Sequence, residues 1–230
     1  MSQSNQFDLL KQRRFGPFFG VQFLGAFNDN VYKNALVILL TFQAASVSTM
    51  SPGLLVNLCA GLFILPFFLF SATAGQLADK YEKAMLTRWV KIFEIVIMIV
   101  GAMGFYFLNL VLLFAALFMM GMHSTMFGPV KYGILPEQLA EDELVAGNGA
   151  IEASTFLSIV AGTVAGGALV VLPAGGAIVG AVGVGVSILG LIAAFRIPPV
   201  PAADPSLRID ANIFAATVDV VRREIGRAHV

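Results

Sequence analysis

The chain has 230 residues, of which 58% are hydrophobic and 12% charged, and its 14 basic and 14 acidic side chains give a formal net charge of zero. Soluble domains carry about 25% charged residues, so this composition is too poor in charge to cover a water-exposed surface. The balanced charge also argues against nucleic-acid binding. The single cysteine, Cys59, excludes a disulfide framework or a paired-cysteine metal site within this chain. The composition therefore indicates an integral membrane protein.

Six apolar segments are long enough to cross a bilayer as helices. A helix needs about 20 mostly apolar residues to span a hydrocarbon core of about 30 Å. The segments are continuous rather than alternating, which indicates helices and not barrel strands. The predicted spans cover residues 15–41, 52–74, 86–107, 110–127, 144–172 and 174–195. The predicted fold class is an all-α membrane protein, with a cytoplasmic N-terminus at 1–14 and a six-helix transmembrane bundle at 15–196.

Positive charges are predicted at one end of this bundle only. The loops near residues 42–51, 108–109 and 172–176 contain no charged residue. The cations assigned to the opposite loops include Lys80, Lys83, Arg88, Lys91 and Lys131. Cytoplasmic loops carry an excess of Lys and Arg, so both termini are expected in the cytoplasm. The polar first ten residues lack an apolar core before a cleavage site, and we expect no cleaved signal peptide.

Span 1 carries a polar stripe. At 100° per residue, Gln22, Asp29 and Lys33 fall within about 40° of one another, and Asn30 and Asn34 extend the stripe. Asp29 and Lys33 are spaced i,i+4 with the acid first, the order that favours an ion pair. Five polar side chains exceed what joining two helices requires. The stripe therefore predicts the lining of a water-filled cavity near mid-membrane, and the alternative is a self-neutralised pair against a neighbouring helix.

Span 5 carries a second stripe, formed by Asn148, Glu152, Thr155, Gly162 and Gly166. Two glycines four residues apart let helix backbones approach closely, so we expect this pair to pack against another helix and assign it no site role. The Glu152 carboxylate is interpreted either as part of the cavity or as the partner of a nearby cation.

Other ionisable residues inside the spans are weaker candidates. Glu94 is expected to pair with Lys91 or Lys80 at the cytoplasmic rim, and His123 to be a hydrogen-bonded packing residue rather than a proton relay. No second His or Cys stands at ligand spacing, so we predict no metal and expect no cofactor. The sequence has no nucleophile elbow, Walker A loop or acyltransferase signature, and the chain is not expected to be an enzyme.

The chain after span 6 is predicted to form a cytoplasmic linker at residues 197–224. It opens with four prolines, which indicate a stiff extended exit. Five apolar or small side chains then recur at helical spacing after Asp210, a candidate N-cap, and predict a short amphipathic helix. These are Ile213, Phe214, Thr217, Val218 and Val221. Residues 225–230 are interpreted as a translated adapter, so that the natural gene continues beyond about Glu224; a genuine polar C-terminus is the alternative.

The segment after span 2 reads GQLADKYEK at residues 75–83. It resembles the G-x-L-A-D-R/K-x-x-R/K loop of the major facilitator superfamily, at the same place between spans 2 and 3. The resemblance implies a latch between inward- and outward-facing states, formed by Gly75, Asp79, Lys80 and Lys83. It also implies that these spans are the N-terminal half of a facilitator fold, whose partner is a second six-helix half.

Three longer segments resemble the bacterial lysophospholipid transporter family: QFLGAFNDN at 22–30, GPVKYGIL at 128–135 and GNGAIEAST at 147–155. The resemblance is particularly close to the form fused to an acyl-carrier-protein ligase and an acyltransferase that reacylates 2-acylglycerophosphoethanolamine. It implies a bacterial inner-membrane protein that moves lysophosphatidylethanolamine from the outer to the inner leaflet. Family site residues are the acid of the first segment and the lysine of the second, here Asp29 and Lys131.

Three hypotheses for the function follow. The first is transport of a lysophospholipid by alternating access, beside a fused or associated acyltransferase. Its expected substrate-binding residues are Gln22, Asp29, Asn30, Lys33, Lys131 and Glu152. The second is a facilitator-type carrier of a small polar solute, with Asp29 or Glu152 as a proton site. The third is a membrane module that feeds a fused phospholipid acyltransferase.

Overall fold

The structure, a computed structural model, describes residues 6–209. Within them, a four-residue helix precedes six long helices. The helices are α1 (Gln6–Leu9), α2 (Gly16–Phe42), α3 (Pro52–Lys80), α4 (Lys83–Tyr106), α5 (Leu110–Gln138), α6 (Leu144–Val170) and α7 (Gly175–Ala194), with a short 3-10 helix at Ala44–Ser46. The predicted amphipathic helix after Asp210 and the interpreted adapter at 225–230 lie outside the described residues.

All six long helices begin within three residues of the predicted spans, and α2, α4, α6 and α7 also end within three. The first residues of four helices carry recognisable signals. Proline stands in the first turn of α2 and of α3, where its missing N–H costs no helical hydrogen bond. The Asn109 side chain caps α5 by accepting from the Leu112 N–H at 3.1 Å. Before α4, the Glu82 carboxylate accepts from the N–H groups of Ala84 and Met85. These caps satisfy N–H groups that the helix itself leaves free.

Helix α3 is longer than predicted. It continues to Lys80 instead of residue 74, so most of the GQLADKYEK segment is helical and only Tyr81 and Glu82 separate α3 from α4. Hydropathy marks where a helix leaves an apolar environment, whereas the backbone hydrogen bonds continue as long as no residue breaks them. The prediction of a loop over the whole of residues 75–83 is therefore wrong.

Helix α5 is longer than predicted for the same reason. It continues to Gln138 instead of residue 127, through Pro129 and Pro136. Lys131, which its charge assigned to a loop, lies inside this helix and is buried. That assignment is wrong, because the counting of cations cannot distinguish a loop residue from one on the buried face of an extended helix.

The long helices pack mainly as three pairs: α2 with α6, α3 with α5, and α4 with α7. Two further contacts, α4 with α5 and α2 with α7, complete the bundle. If α2, α3 and α4 are matched in order with α5, α6 and α7, each of these contacts has a counterpart. The α2–α6 contact corresponds to α5–α3, the α4–α5 contact to α7–α2, and the α4–α7 contact to itself. The contacts therefore have an internal two-fold relation, which was not evident in the sequence.

The glycine pair of α6 packs against α2. A Cβ at Gly162 would lie 2.6 Å from the Phe27 carbonyl oxygen, and one at Gly166 would overlap the Val31 carbonyl. The prediction that this pair allows close helix packing is confirmed. The contact brings the polar face of α6, with Thr155, against the polar stripe of α2.

One end of the bundle, here called the charged end, holds the starts of α2, α4 and α6 and the ends of α3, α5 and α7. Arg14, before α2, forms a 2.6 Å salt bridge with Glu143, before α6, and also donates to the Gln138 carbonyl at the end of α5. The exit segment, residues 195–209, crosses the α3–α4 turn. There the Lys83 N–H donates to the Val200 carbonyl at 3.0 Å.

Five helices, α3 to α7, are long and apolar enough to cross a membrane. Helix α2 is not among the five, although it has 27 residues. It carries the polar stripe with Asp29 and Lys33, which lowers its hydropathy. Of the six predicted spans, five are therefore supported by length and composition in the part of the chain that the structure describes.

Candidate functional site

A cavity of about 360 Å³, here called the polar cavity, lies among α2, α3, α4, α5 and α6 near the middle of α2. Its polar lining comes mostly from the stripe of α2 and from the facing surface of α5. These residues are Gln22, Asp29, Asn30, Lys33, Lys91, His123, Ser124, Lys131, Tyr132 and Thr155. Five of the six expected substrate-binding residues are therefore brought together, and Glu152 is not among them. The charged residues of the lining are three lysines and one aspartate.

Asp29 and Lys33 do not pair with each other. Asp29 accepts from the Ser124 hydroxyl of α5 at 2.9 Å, while the Lys33 ammonium lies 4.4 Å from the centre of the Phe63 ring of α3. No salt bridge joins the two side chains in the structure, so the alternative of a self-neutralised pair is wrong. The second oxygen of Asp29, Oδ1, is buried without a hydrogen-bond partner. Asp29 thus contributes to the lining a carboxylate that has one oxygen without a hydrogen bond.

The rest of the polar stripe is used partly to join α2 to α6. Gln22 donates to the Thr155 hydroxyl at 2.7 Å, and Asn34 donates to the Thr163 hydroxyl at 3.1 Å. Asn30 donates to the Ala26 carbonyl of its own helix. The stripe therefore serves both as cavity lining and as interhelical contact.

Lys131 reaches the polar cavity from α5 and binds Glu152 of α6. The ammonium lies 2.9 Å from the Glu152 carboxylate, and the two side chains are 11% and 46% exposed respectively. Of the two interpretations of Glu152, the partner of a nearby cation is confirmed. Lys131 is the charge that faces the cavity, and Glu152 stands behind it.

A second ionic group is buried beside the polar cavity. The Lys91 ammonium lies 2.5 Å from Glu94, both side chains being 1% exposed. Asn28 donates to the other oxygen of Glu94 at 2.9 Å, and His123 Nε2 is 3.4 Å away. Glu94 pairs with Lys91 as expected. The expected place at the cytoplasmic rim is wrong, because Glu94 stands about 16 Å along α4 from its first residue.

Lys91 was missed as a cavity residue because it follows a cluster of loop cations in the sequence. Space for it comes from two glycines on other helices. A Cβ at Gly25 of α2 would lie 2.6 Å from the ammonium, and one at Gly190 of α7 would lie 3.4 Å from its Cδ. The available signal was Glu94 three residues later in an apolar run, since a pair at this spacing can meet on one helix face.

An apolar groove opens beside the polar cavity, between α2 and α3. This α2–α3 groove has a volume of about 290 Å³. Its lining consists of Lys33, Leu36, Val37, Val56, Cys59, Ala60, Phe63, Ile64 and Leu117. Lys33 lines both the groove and the polar cavity, so the two spaces meet at its side chain.

The four residues of the expected latch stand in different environments. Around Gly75 the space is open: an added Cβ would meet nothing within 4 Å. Asp79 is exposed, and Lys80 lies over the Tyr81 ring at 5.8 Å. Lys83 is buried and donates to the Pro201 carbonyl at 3.1 Å. Asp79 is thus the exposed member of the four, and Gly75 and Lys80 are half-buried. The exit segment is held by Lys83 and by the Asp79 carbonyl, which accepts from the Asp204 N–H at 2.9 Å.

Within residues 6–209, no group of three or more His, Cys, Asp or Glu side chains is placed to hold a metal ion. Glu94 and Glu152 pair with lysines instead. The chemistry of the site is therefore that of charged and hydrogen-bonding side chains around a cavity.

No protein-family model matches the chain. Curated proteins do resemble it. The lysophospholipid transporter LplT of Cronobacter sakazakii is 33% identical over 151 residues, which is 64% of this chain and 34% of that protein. The proteins of the same name from Citrobacter koseri and Salmonella heidelberg are 34% and 33% identical over 149 and 151 residues. The chain spans about a third of the length of these relatives. Together with its five apolar helices, this similarity identifies a multi-pass membrane protein.

Proposed function

We propose that the chain is the N-terminal part of a lysophospholipid transporter, a member of the family of its relatives, with a major facilitator fold. The relatives are named lysophospholipid transporters. The two-fold pattern of helix contacts supports a half built from two three-helix repeats of opposite direction. Since the chain covers about a third of the relatives' length, the second half of the fold belongs to the rest of the protein.

The observation that carries the proposal is the charge arrangement of the polar cavity. A lysophosphatidylethanolamine headgroup has an ammonium and a phosphate. The Asp29 carboxylate, which no salt bridge neutralises, suits the ammonium, and the ammonium groups of Lys33 and Lys131 suit the phosphate. Hydrogen bonds between ionised groups are about twice as strong as neutral ones. The Phe63 ring beside Lys33 and the Phe67 ring in the cavity lining provide apolar contact for the rest of the molecule.

In this proposal α2 is a sixth membrane span. Its polar side chains face α5, α6 and the cavity rather than lipid, which is how charged groups are tolerated inside a membrane. The charged end faces the cytoplasm because Lys and Arg are concentrated there, and both termini lie on that side of a bacterial inner membrane. The substrate moves from the outer to the inner leaflet.

Alternating access requires a second body against which this half moves. Gly75, Asp79 and Lys80 at the charged end are the latch contacts in this scheme. The relatives are named as transporters rather than as enzymes, and a fused or associated acyltransferase would consume the delivered lysolipid on the cytoplasmic side.

The test is uptake of lysophosphatidylethanolamine by the full-length protein in proteoliposomes. Asp29→Asn keeps the shape of the side chain and removes its charge, so we expect uptake to fall about tenfold or more, as for a hydrogen bond to a charged group. Asp142→Asn makes the same chemical change at an exposed position outside the cavity and should leave uptake unchanged. Equal uptake by the two variants would contradict the assigned site.

The same preparation separates the other two hypotheses. A carrier of a small polar solute would transport that solute without inhibition by lysolipid, and this result would replace the proposal. A module that only feeds an acyltransferase would lose uptake when any fused catalytic domains are deleted. A transporter in its own right keeps uptake after the deletion.

A further inference from the structure

The α2–α3 groove continues the polar cavity in one direction. Apart from Lys33, its lining is apolar, and it is formed by Val37 on α2 and by Val56, Cys59 and Ala60 on α3, among others. The groove follows α3 from Ile64 back to Val56, a distance of about 12 Å at 1.5 Å per residue. It is thus an elongated apolar space that begins at a charged junction.

The direction of the groove follows from the direction of its two helices. Helix α2 begins at the charged end, so the path from Lys33 to Val37 leads away from that end. Helix α3 finishes at the charged end, so the path from Ile64 back to Val56 leads the same way. The groove therefore extends from the polar cavity toward the uncharged end of the bundle.

We propose that the α2–α3 groove binds the acyl chain of the lysophospholipid whose headgroup occupies the polar cavity. This inference rests on the proposed function. One ligand can occupy both spaces because they meet at Lys33. The Lys33 ammonium can bind a phosphate there, at the point where a lipid headgroup joins the acyl chain. The same ammonium already rests on the Phe63 ring, which holds it at this junction.

The binding pose has a consequence for the transport cycle. With the charged end in the cytoplasm, the acyl chain points toward the outer side and the headgroup toward the cytoplasm. A lipid of the inner leaflet has this orientation, whereas a lipid of the outer leaflet has the opposite one. The substrate therefore turns over as it enters this site and leaves to the inner leaflet without further rotation.

Photocrosslinking in the full-length protein tests the pose directly. The probes are two lysophosphatidylethanolamines, one with a diazirine at the end of the acyl chain and one with a diazirine next to the glycerol. The acyl chain of the first probe is matched to the groove length of about 12 Å. We expect this chain-end probe to label Val37, Val56, Cys59 or Ala60, and the glycerol probe to label Phe63 or Ile64. An excess of unlabelled lysophosphatidylethanolamine should abolish the labelling by both probes if they occupy a specific site. Labelling that arises from general contact with the bilayer would persist.

Three outcomes would overturn the inference. One is labelling by the chain-end probe at the charged end, which would mean the opposite orientation. Another is labelling spread over lipid-facing side chains such as Phe68 and Trp89, which are largely exposed, because this would indicate ordinary bilayer contact. The third is labelling in the rest of the protein with none in the groove, which would mean that another segment covers it.

A pair of variants tests the groove by transport. Ala60→Trp fills it from an exposed position of its lining, and Gly61→Trp adds a similar bulk at the next position, where an added Cβ meets nothing within 4 Å. We expect Ala60→Trp to lower uptake of long-chain lysolipid about tenfold relative to Gly61→Trp, with a smaller loss for a short-chain analogue.

The two proposals fail in different ways. If the unaltered protein moves no lysolipid, the proposed function fails. The acyl-chain inference alone fails if the unaltered protein transports lysolipid, the two tryptophan variants have equal uptake, and the chain-end probe labels no groove residue. Because crosslinking uses the unaltered protein, a folding defect of Ala60→Trp leaves the inference testable.

Discussion

Lys91 and Glu94 form a 2.5 Å ion pair in which both side chains are 1% exposed. The pair lies between α2, α5 and α7, beside the polar cavity, and Asn28 adds a hydrogen bond to Glu94. Removal of two charges from water is costly, and only good geometry and additional hydrogen bonds offset this cost. The pair is therefore sensitive to the loss of either partner.

Replacement of one partner should destabilise the bundle more than replacement of both. Lys91→Met leaves Glu94 charged and buried, and broken buried pairs cost about 3–5 kcal/mol. The double variant Lys91→Met/Glu94→Gln leaves no buried charge and should recover most of this loss. Thermal unfolding of the purified full-length protein, followed by size-exclusion chromatography, measures both. A double variant less stable than Lys91→Met would contradict the account.

Lys131 and Glu152 should differ in their effect on transport. Lys131→Gln removes a charge that lines the polar cavity and should lower lysolipid uptake about tenfold or more. Glu152→Gln leaves that lysine in place and keeps a hydrogen-bond acceptor beside it, so the loss of uptake should be smaller than for Lys131→Gln. Uptake assays at equal protein levels decide this, and a larger loss for Glu152→Gln would place the carboxylate at the substrate instead.

Gly166→Ala should loosen the contact between α6 and α2. The added methyl group would overlap the Val31 carbonyl, and overpacking of this kind costs about 1–3 kcal/mol. Gly149→Ala is the matched control on the same helix, because its Cβ would meet nothing within 4 Å. Melting temperatures of the two variants in detergent give the comparison. If they coincide, the helices are not in close contact at this point.

The salt bridge at the charged end should give the stability a pH dependence in acid. Hydrogen bonds from Arg14 and from the Ala140 N–H hold the pKa of Glu143 below its usual range. The pair therefore stabilises the fold above the unfolded pKa of glutamate, about 4.3, and its contribution is lost as the pH falls through the lower folded value. The difference in melting temperature between the unaltered protein and Glu143→Gln should disappear below this range. A difference that grows with acidity would contradict the role of the pair.

The sequence was sufficient to predict the helices and much of the cavity lining. Long apolar runs fix the spans, and the periodicity of α2 places Gln22, Asp29 and Lys33 on one face. Whether Asp29 binds Lys33 could not be predicted, since their spacing permits a pair. In the structure Asp29 binds Ser124 of α5 and Lys33 lies over Phe63 of α3, so the pair does not form. These contacts depend on how three helices pack.

Lys91 shows why the rest was not predictable. By hydropathy it belongs with the cations of a loop, and its burial depends on Gly25 and Gly190, which stand far away in the sequence. Lys131 is similar, because α5 extends past two prolines and turns an apparent loop charge into a cavity residue. Such positions follow from tertiary packing and not from local pattern.

The most direct test of the account compares two headgroups in one preparation. Full-length protein and its Asp29→Asn variant are assayed for uptake of lysophosphatidylethanolamine and of lysophosphatidic acid, which has the phosphate but no ammonium. If Asp29 binds the ammonium, the variant should lose about tenfold in uptake of the first lipid and keep its uptake of the second. An equal loss for both lipids, or no loss for either, would contradict the assignment of the polar cavity as the headgroup site.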